Sequence, residues 1–101
     1  MPERHEVAKT SEIPAAGGHC VEVGGKEIAL FVIEGAYYAI DNLCPHAGGP
    51  LSEGEKVGQG VTCPWHAWTF DFATGASSVN PAIKVHTYPV VVEGDGLFIE
   101  L

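Results

Sequence analysis

Four residues of this chain have the types and spacing of metal ligands: Cys44 and His46 in Cys44-Pro45-His46, and Cys63 and His66 in Cys63-Pro64-Trp65-His66, with sixteen residues between the two groups. Each group puts one soft thiolate and one imidazole within a few residues, so that a short loop can wrap an ion and two such loops can close over one centre. Pro45 and Pro64 follow the cysteines directly and fix φ near −65°, which stiffens each loop before any metal arrives. Gly48, Gly49 and Gly54 allow tight turns whose N–H groups can point at sulfur. Three readings of these residues compete. Two buried thiols with two unrelated surface histidines would make the pattern accidental. A tetrahedral zinc site would use the same ligand types, although zinc fingers usually pair Cys with Cys and His with His. The third is another metal centre closed over by both loops.

Such loops need a scaffold. The apolar residues alternate or run in short β-branched and aromatic stretches broken by Gly and Pro, with no sustained helical period, which predicts an all-β chain. The expected strands are His5–Lys9, His19–Val23, Glu27–Ile33, Ala36–Asp41, Gly60–Cys63, Thr69–Phe72, Val85–Val92 and Gly96–Glu100. Gly24-Gly25, Glu34-Gly35 and Asp95-Gly96 read as hairpin turns, and Pro89 should demote its strand to an edge or split it. Two segments interrupt the strands: Leu43–Gly58, rich in Gly, Pro and Ser, and Ser77–Ala82. Sheet scaffolds carry chemistry on loops of this kind.

At 101 residues the chain is expected to form one domain, residues 1–101. Its apolar fraction of 46% against 18% charged residues allows a core and opposes general disorder. Thirteen acidic residues against five basic give a formal charge of −8, which opposes nucleic acid and anionic membrane as partners and suits a basic protein. No apolar run reaches membrane-spanning length, and the charged first ten residues do not read as a signal peptide. Three cysteines, two of them in Cys/His groups, favour a reducing compartment, the cytoplasm. Cys20 reads as a buried strand thiol. His5, His19 and His86 read as ordinary surface or core histidines.

The stretches CPHAGGPLSEG and CPWHAWTFDFATG, the later Asn80-Pro81-Ala82 and the closing TYPVVVEGDGLFIEL resemble the Rieske family, whose pattern is C-x-H, a spacer, then C-x-x-H. The resemblance runs from Ile13 onward. It implies an antiparallel β-sandwich with a cluster-binding subdomain made by two loops at one tip. It also implies one [2Fe-2S] cluster per chain, with Cys44 and Cys63 on one iron and His46 and His66 on the other. Two ferric ions and two sulfides sum to about plus two, and two thiolates cancel that charge, so an electron enters more easily than in an all-cysteine cluster. The outward ring nitrogens of the histidines can hold or release protons as the cluster changes charge.

The resemblance is to the soluble branch, which includes ferredoxins of ring-hydroxylating dioxygenases and the small subunit of assimilatory nitrite reductase. The disulfide cysteines of the membrane-complex branch have no counterpart near Ala47–Gly49 or at Trp65. The implied role is electron transfer between redox proteins, a flavin or NAD(P)H-linked reductase and a terminal oxygenase, with the nitrite reductase subunit as the alternative. A structural zinc module is the remaining one. An oxygenase catalytic half would need a 2-His-1-carboxylate iron site and a much longer chain.

Three departures from relatives carry expectations. Ala67 stands where many relatives have Gly, at a cost of about 1 kcal/mol if that residue needs φ > 0. High-potential relatives place a Ser hydroxyl and a Tyr hydroxyl two and four residues after the second His. Here those positions are Trp68 and Phe70, which predicts a potential near the low end of the family range, roughly −150 mV. Trp65 could shield the cluster or dock a partner, Trp68 is expected to pack or shield, and Pro45, Pro50, Leu51, Trp65 and Pro81 are expected to form an apolar docking collar.

Overall fold

Lys26–Ile33 reads KEIALFVI, an almost continuous apolar run after two charged residues, and such a strand needs cover on both faces. A computed structural model describes residues 4–14, 17–43, 50–64, 68–78 and 82–100, and places this run in the middle layer of three. The strands are β1 (Arg4–Lys9), β2 (His19–Val23), β3 (Lys26–Ile33), β4 (Ala36–Asp41), β5 (Glu55–Val57), β6 (Gly60–Thr62), β7 (Thr69–Asp71), β8 (Thr87–Tyr88), β9 (Val90–Glu93) and β10 (Gly96–Glu100). Among the described residues they form three antiparallel sheets, ordered β1-β10-β9, β2-β3-β4-β8 and β5-β6-β7.

The side-chain alternation of β3 divides the interior. Ile28 and Leu30 point one way and pack with Ala8, Ala39, Tyr88, Leu97 and Ile99, filling the space between the middle sheet and β1-β10-β9. Ala29 and Phe31 point the other way and join Ile40, Leu51, Val61, Cys63, Phe70, Phe72 and Val85 beneath the small sheet β5-β6-β7. The all-β sandwich therefore has a third sheet laid on its middle layer, and that sheet carries the second Cys/His group at its end. Phe72 stacks on Tyr38 at 5.4 Å and meets Phe31 in a tilted contact at 4.6 Å, ring centroid to ring centroid, which anchors the small sheet to the middle one.

The β2–β3 and β3–β4 turns fall at Gly24-Gly25 and Glu34-Gly35 as expected, with positive φ at all four residues. That conformation matches strand twist in a two-residue hairpin. Four expectations need correction. The last hairpin turns at Gly94-Asp95 and not Asp95-Gly96, because Gly94 takes the positive φ of +62° and Gly96 already pairs with Glu93. Leu43–Gly58 is not all loop: it holds a 3-10 turn, Leu51–Glu53, and β5, whose short polar sequence is a strand only because β6 pairs with it. The strand expected from Val85 starts only at Thr87, while Pro89 splits it into β8 and β9 as expected. Cys20 is exposed, since on edge strand β2 it shares the outward face with Glu22 while Val21 and Val23 turn toward the core.

Candidate metal centre

The second Cys/His group lies at the tip of the β6–β7 hairpin. Pairing runs from Gly60↔Asp71 through Val61↔Phe70 to Thr62↔Thr69, and one step further the Cys63 N–H donates to the Trp68 carbonyl at 2.7 Å. This closes a loop of four residues, 64–67, which contains His66. The hydroxyls of Thr62 and Thr69 lie 3.2 Å apart across the last pair. Cys63 itself is 1% exposed, without a disulfide, among Leu51, Val61, Phe70 and Phe72. A thiol there is shut off from bulk water.

The first group is framed in the same manner. Leu43 and Pro50 form an antiparallel bridge that closes residues 44–49, and the chain on both sides is fastened to one residue, Asn42. The Asn42 carbonyl accepts from Leu51 N–H at 2.6 Å, and its Oδ1 accepts from Ser52 N–H at 2.9 Å. On its other side Asn42 N–H donates to the Glu27 carbonyl at 2.9 Å and Nδ2 donates to Glu27 Oε1 at 3.2 Å.

The feet of the two loops are neighbours because of what joins them. After the first loop come Leu51–Glu53, Gly54 and β5, and β5 pairs with β6, which leads straight into Cys63. Gly54 is required at the contact: a Cβ there would lie 2.1 Å from the Thr62 carbonyl oxygen. Leu51, wholly buried, packs in the same cluster as Val61 and Cys63. A third segment is held alongside, with Ser78 N–H donating to the Thr69 carbonyl at 2.8 Å and Ser77 N–H to that of Ile83 at 2.9 Å. Residues 79–81, between these bonds, include Asn80 and Pro81.

Of the four ligand-type residues, Cys63 is placed by the structure, while Cys44, His46 and His66 lie outside the described residues. Among the described residues no group of three or more His, Cys, Asp or Glu could hold a metal. Pro45, Trp65, Ala67 and Pro81 also lie outside them. Trp68 is half-buried and packs on the core around Cys63, as expected. Leu51 is no part of an exposed collar: it is wholly buried in the cluster that includes Cys63. The exposed apolar residue beside the first loop is Leu43, at 49%. Sequence reading missed both Leu43 and Asn42. The signal for Asn42 was a lone amide closing an apolar strand directly before the ligand loop.

Electrostatics around the frame are acidic. Although Cys20 is exposed, partial desolvation by its neighbours, then the charge of Glu27, push its thiol above its ordinary value, and Cys20 Sγ lies 4.0 Å from Glu27 Oε1. Burial and a 2.7 Å hydrogen bond to Asp41 Oδ1 push the Tyr88 hydroxyl well up. Among the five basic residues, Arg4 pairs with Glu93 and Lys9 with Glu6 and Asp95, on the sheet away from the loops.

The donor set fits an iron–sulfur cluster: two thiolates and two imidazoles on loops whose bases are adjacent, one thiol already walled by apolar side chains. Comparison with known proteins agrees. Residues 3–89 match the family model described as Rieske [2Fe-2S] domain. The ferredoxin component of a naphthalene 1,2-dioxygenase system from Pseudomonas aeruginosa is 42% identical over 91 residues, covering 89% of this chain and 88% of that protein. The ferredoxin of carbazole 1,9a-dioxygenase from Nocardioides aromaticivorans IC177 superposes with a TM-score of 0.88 at 29% identity, covering 95% of each chain. A structure assigned to the small subunit of an NADH-dependent nitrite reductase from Mycobacterium tuberculosis superposes with a TM-score of 0.92 over 100% of this chain and 96% of that one. At 20% identity that likeness shows the fold alone.

Proposed function

The chain belongs to the Rieske [2Fe-2S] domain family, and on that premise we propose that it is a one-electron carrier, the ferredoxin of a ring-hydroxylating dioxygenase system. In this reading residues 1–101 form one domain, Cys44 and Cys63 hold one iron, and His46 and His66 hold the other. Electrons come from a flavin or NAD(P)H-linked reductase and leave to a terminal oxygenase, in the cytoplasm. Among the described residues no helix is long and apolar enough to cross a membrane.

The observation that supports the reading is that the chain following the first Cys/His group returns to the second: Leu51 packs in the same buried cluster as Cys63, and β5 pairs with β6, which leads into Cys63. When bound, the cluster supplies reversible storage of one electron. The chain supplies the rest. Cys63, walled by Leu51, Val61 and Phe70, offers its sulfur from an apolar side, which excludes water there and disfavours hydrolytic loss of the ligand. The Cys63–Trp68 hydrogen bond fixes the width of the second loop, so that little reorganisation accompanies a change of charge. With thirteen acidic residues and five basic, the surface steers a basic partner.

The dioxygenase reading rests on 42% identity across most of both chains, whereas the likeness to the nitrite reductase subunit extends to the fold only. Purification is the first test. A red-brown protein with two irons and two acid-labile sulfides per chain supports the cluster, and a colourless zinc protein refutes it. Reconstitution with a dioxygenase reductase and oxygenase should then give product formation that slows steeply from low to physiological salt. Coupling to a nitrite reductase instead would overturn the choice of partner.

A further inference from the structure

We infer that Asn42, supported by Glu27, is the positioning residue of the first ligand loop: it ties both ends of the loop to the middle sheet and so sets where Cys44 and His46 can reach. The inference rests on the cluster reading of the previous section and adds a residue outside the four ligands.

Asn42 is 2% exposed and uses all its polar groups. It stands two residues before Cys44, at the entry of the loop, yet it receives the N–H groups of Leu51 and Ser52, the first two residues after the loop's closing bridge. Entry and exit are thus held at one point. That point is itself fixed to Glu27 on β3, through the backbone at 2.9 Å and the side chains at 3.2 Å. A residue between β3 and the loop has to accept from Ser52 with one side-chain atom and donate to Glu27 with another, over a single methylene. The short planar amide of Asn does this, its oxygen accepting and its nitrogen donating. Asp would set a second carboxylate against Glu27, and Leu would leave the Ser52 N–H without its acceptor, at a residue that is 8% exposed. The arrangement is costlier than a plain loop closure needs, since the Leu43–Pro50 bridge already closes residues 44–49. What the amide adds is a defined direction of entry and exit, as outer partners do for ligands at metal centres.

The test uses the iron-loaded protein. Asn42→Asp should release iron to a ferrous chelator about tenfold faster than wild type, the size of one lost buried hydrogen bond. The double variant Asn42→Asp with Glu27→Gln reverses the polarity of the pair, the new amide donating to the new carboxylate, and should return the rate to within about twofold of wild type. The electron paramagnetic resonance g-values of the reduced protein should shift in Asn42→Asp and return in the double variant. A residue that only stabilised the fold would lower the melting temperature and leave the spectrum of the folded fraction unmoved. Should Asn42→Asp fail to fold, the double variant carries the test by itself, through its release rate and spectrum. A wild-type release rate in Asn42→Asp, or no recovery in the double variant, overturns the inference. Failure of the wild-type protein to hold iron and sulfide overturns the cluster reading instead.

Discussion

Phe70→Tyr adds one oxygen to a residue that is wholly buried, pairs with Val61 and packs in the same cluster as Cys63. A buried hydroxyl has two outcomes. If it finds no acceptor, it costs about 1–3 kcal/mol, and for a chain of this length each of those lowers the melting temperature by roughly 4–8 °C. If it donates toward cluster sulfur, it favours the reduced state, which carries one more negative charge. About 1.4 kcal/mol of such preference raises a one-electron potential by about 59 mV. The expected result is the second: a wild-type midpoint near roughly −150 mV and a variant about 60 mV higher, with little loss of thermal stability. Protein-film voltammetry at neutral pH gives the first number and a thermal melt the second. A wild-type midpoint well above zero, or a variant that melts lower with no rise in potential, refutes the argument that the absence of a hydroxyl at Phe70 keeps the potential low.

Cys63→Ser should give colourless protein, while His66→Cys should keep a cluster at lower potential, since it adds a negative charge; visible absorbance and voltammetry separate the two. Leu51→Ala should lose about 2–5 kcal/mol in urea unfolding, because its side chain is wholly buried in the cluster around Cys63, whereas an exposed collar residue would lose far less. Tyr88 should make stability fall above about pH 10: the unfolded phenol ionises there, while the folded one, buried and bonded to Asp41, keeps its proton. Below that pH both states are protonated and the effect is absent. Urea midpoints from pH 8 to 11 should slope down in the wild-type protein and flatten in Tyr88→Phe, and equal slopes would refute it.

Which residues have the types and spacing of ligands, and on what kind of scaffold they sit, was written in the sequence, because ligand type and spacing, turn glycines and alternation are local properties. Cys44-Pro45-His46 and Cys63-Pro64-Trp65-His66 needed no fold to be read, and the run from Glu27 to Ile33 marked a strand covered on two sides. The tertiary structure decided what local pattern cannot encode. Glu55–Val57 is a strand because β6 lies beside it, and Leu51 is buried because the small sheet folds over the middle one. Cys20 faces outward because β2 pairs with β3 on one side only and turns its valines inward. Asn42 shows the limit most clearly. Its neighbours in the chain identify it as the end of a strand, and only the return of Leu51 and Ser52 to its carbonyl and its amide makes it the clasp of a ligand loop. Hydrogen bonds between residues ten apart depend on where the chain comes back, and that is fixed by the packing of the whole core.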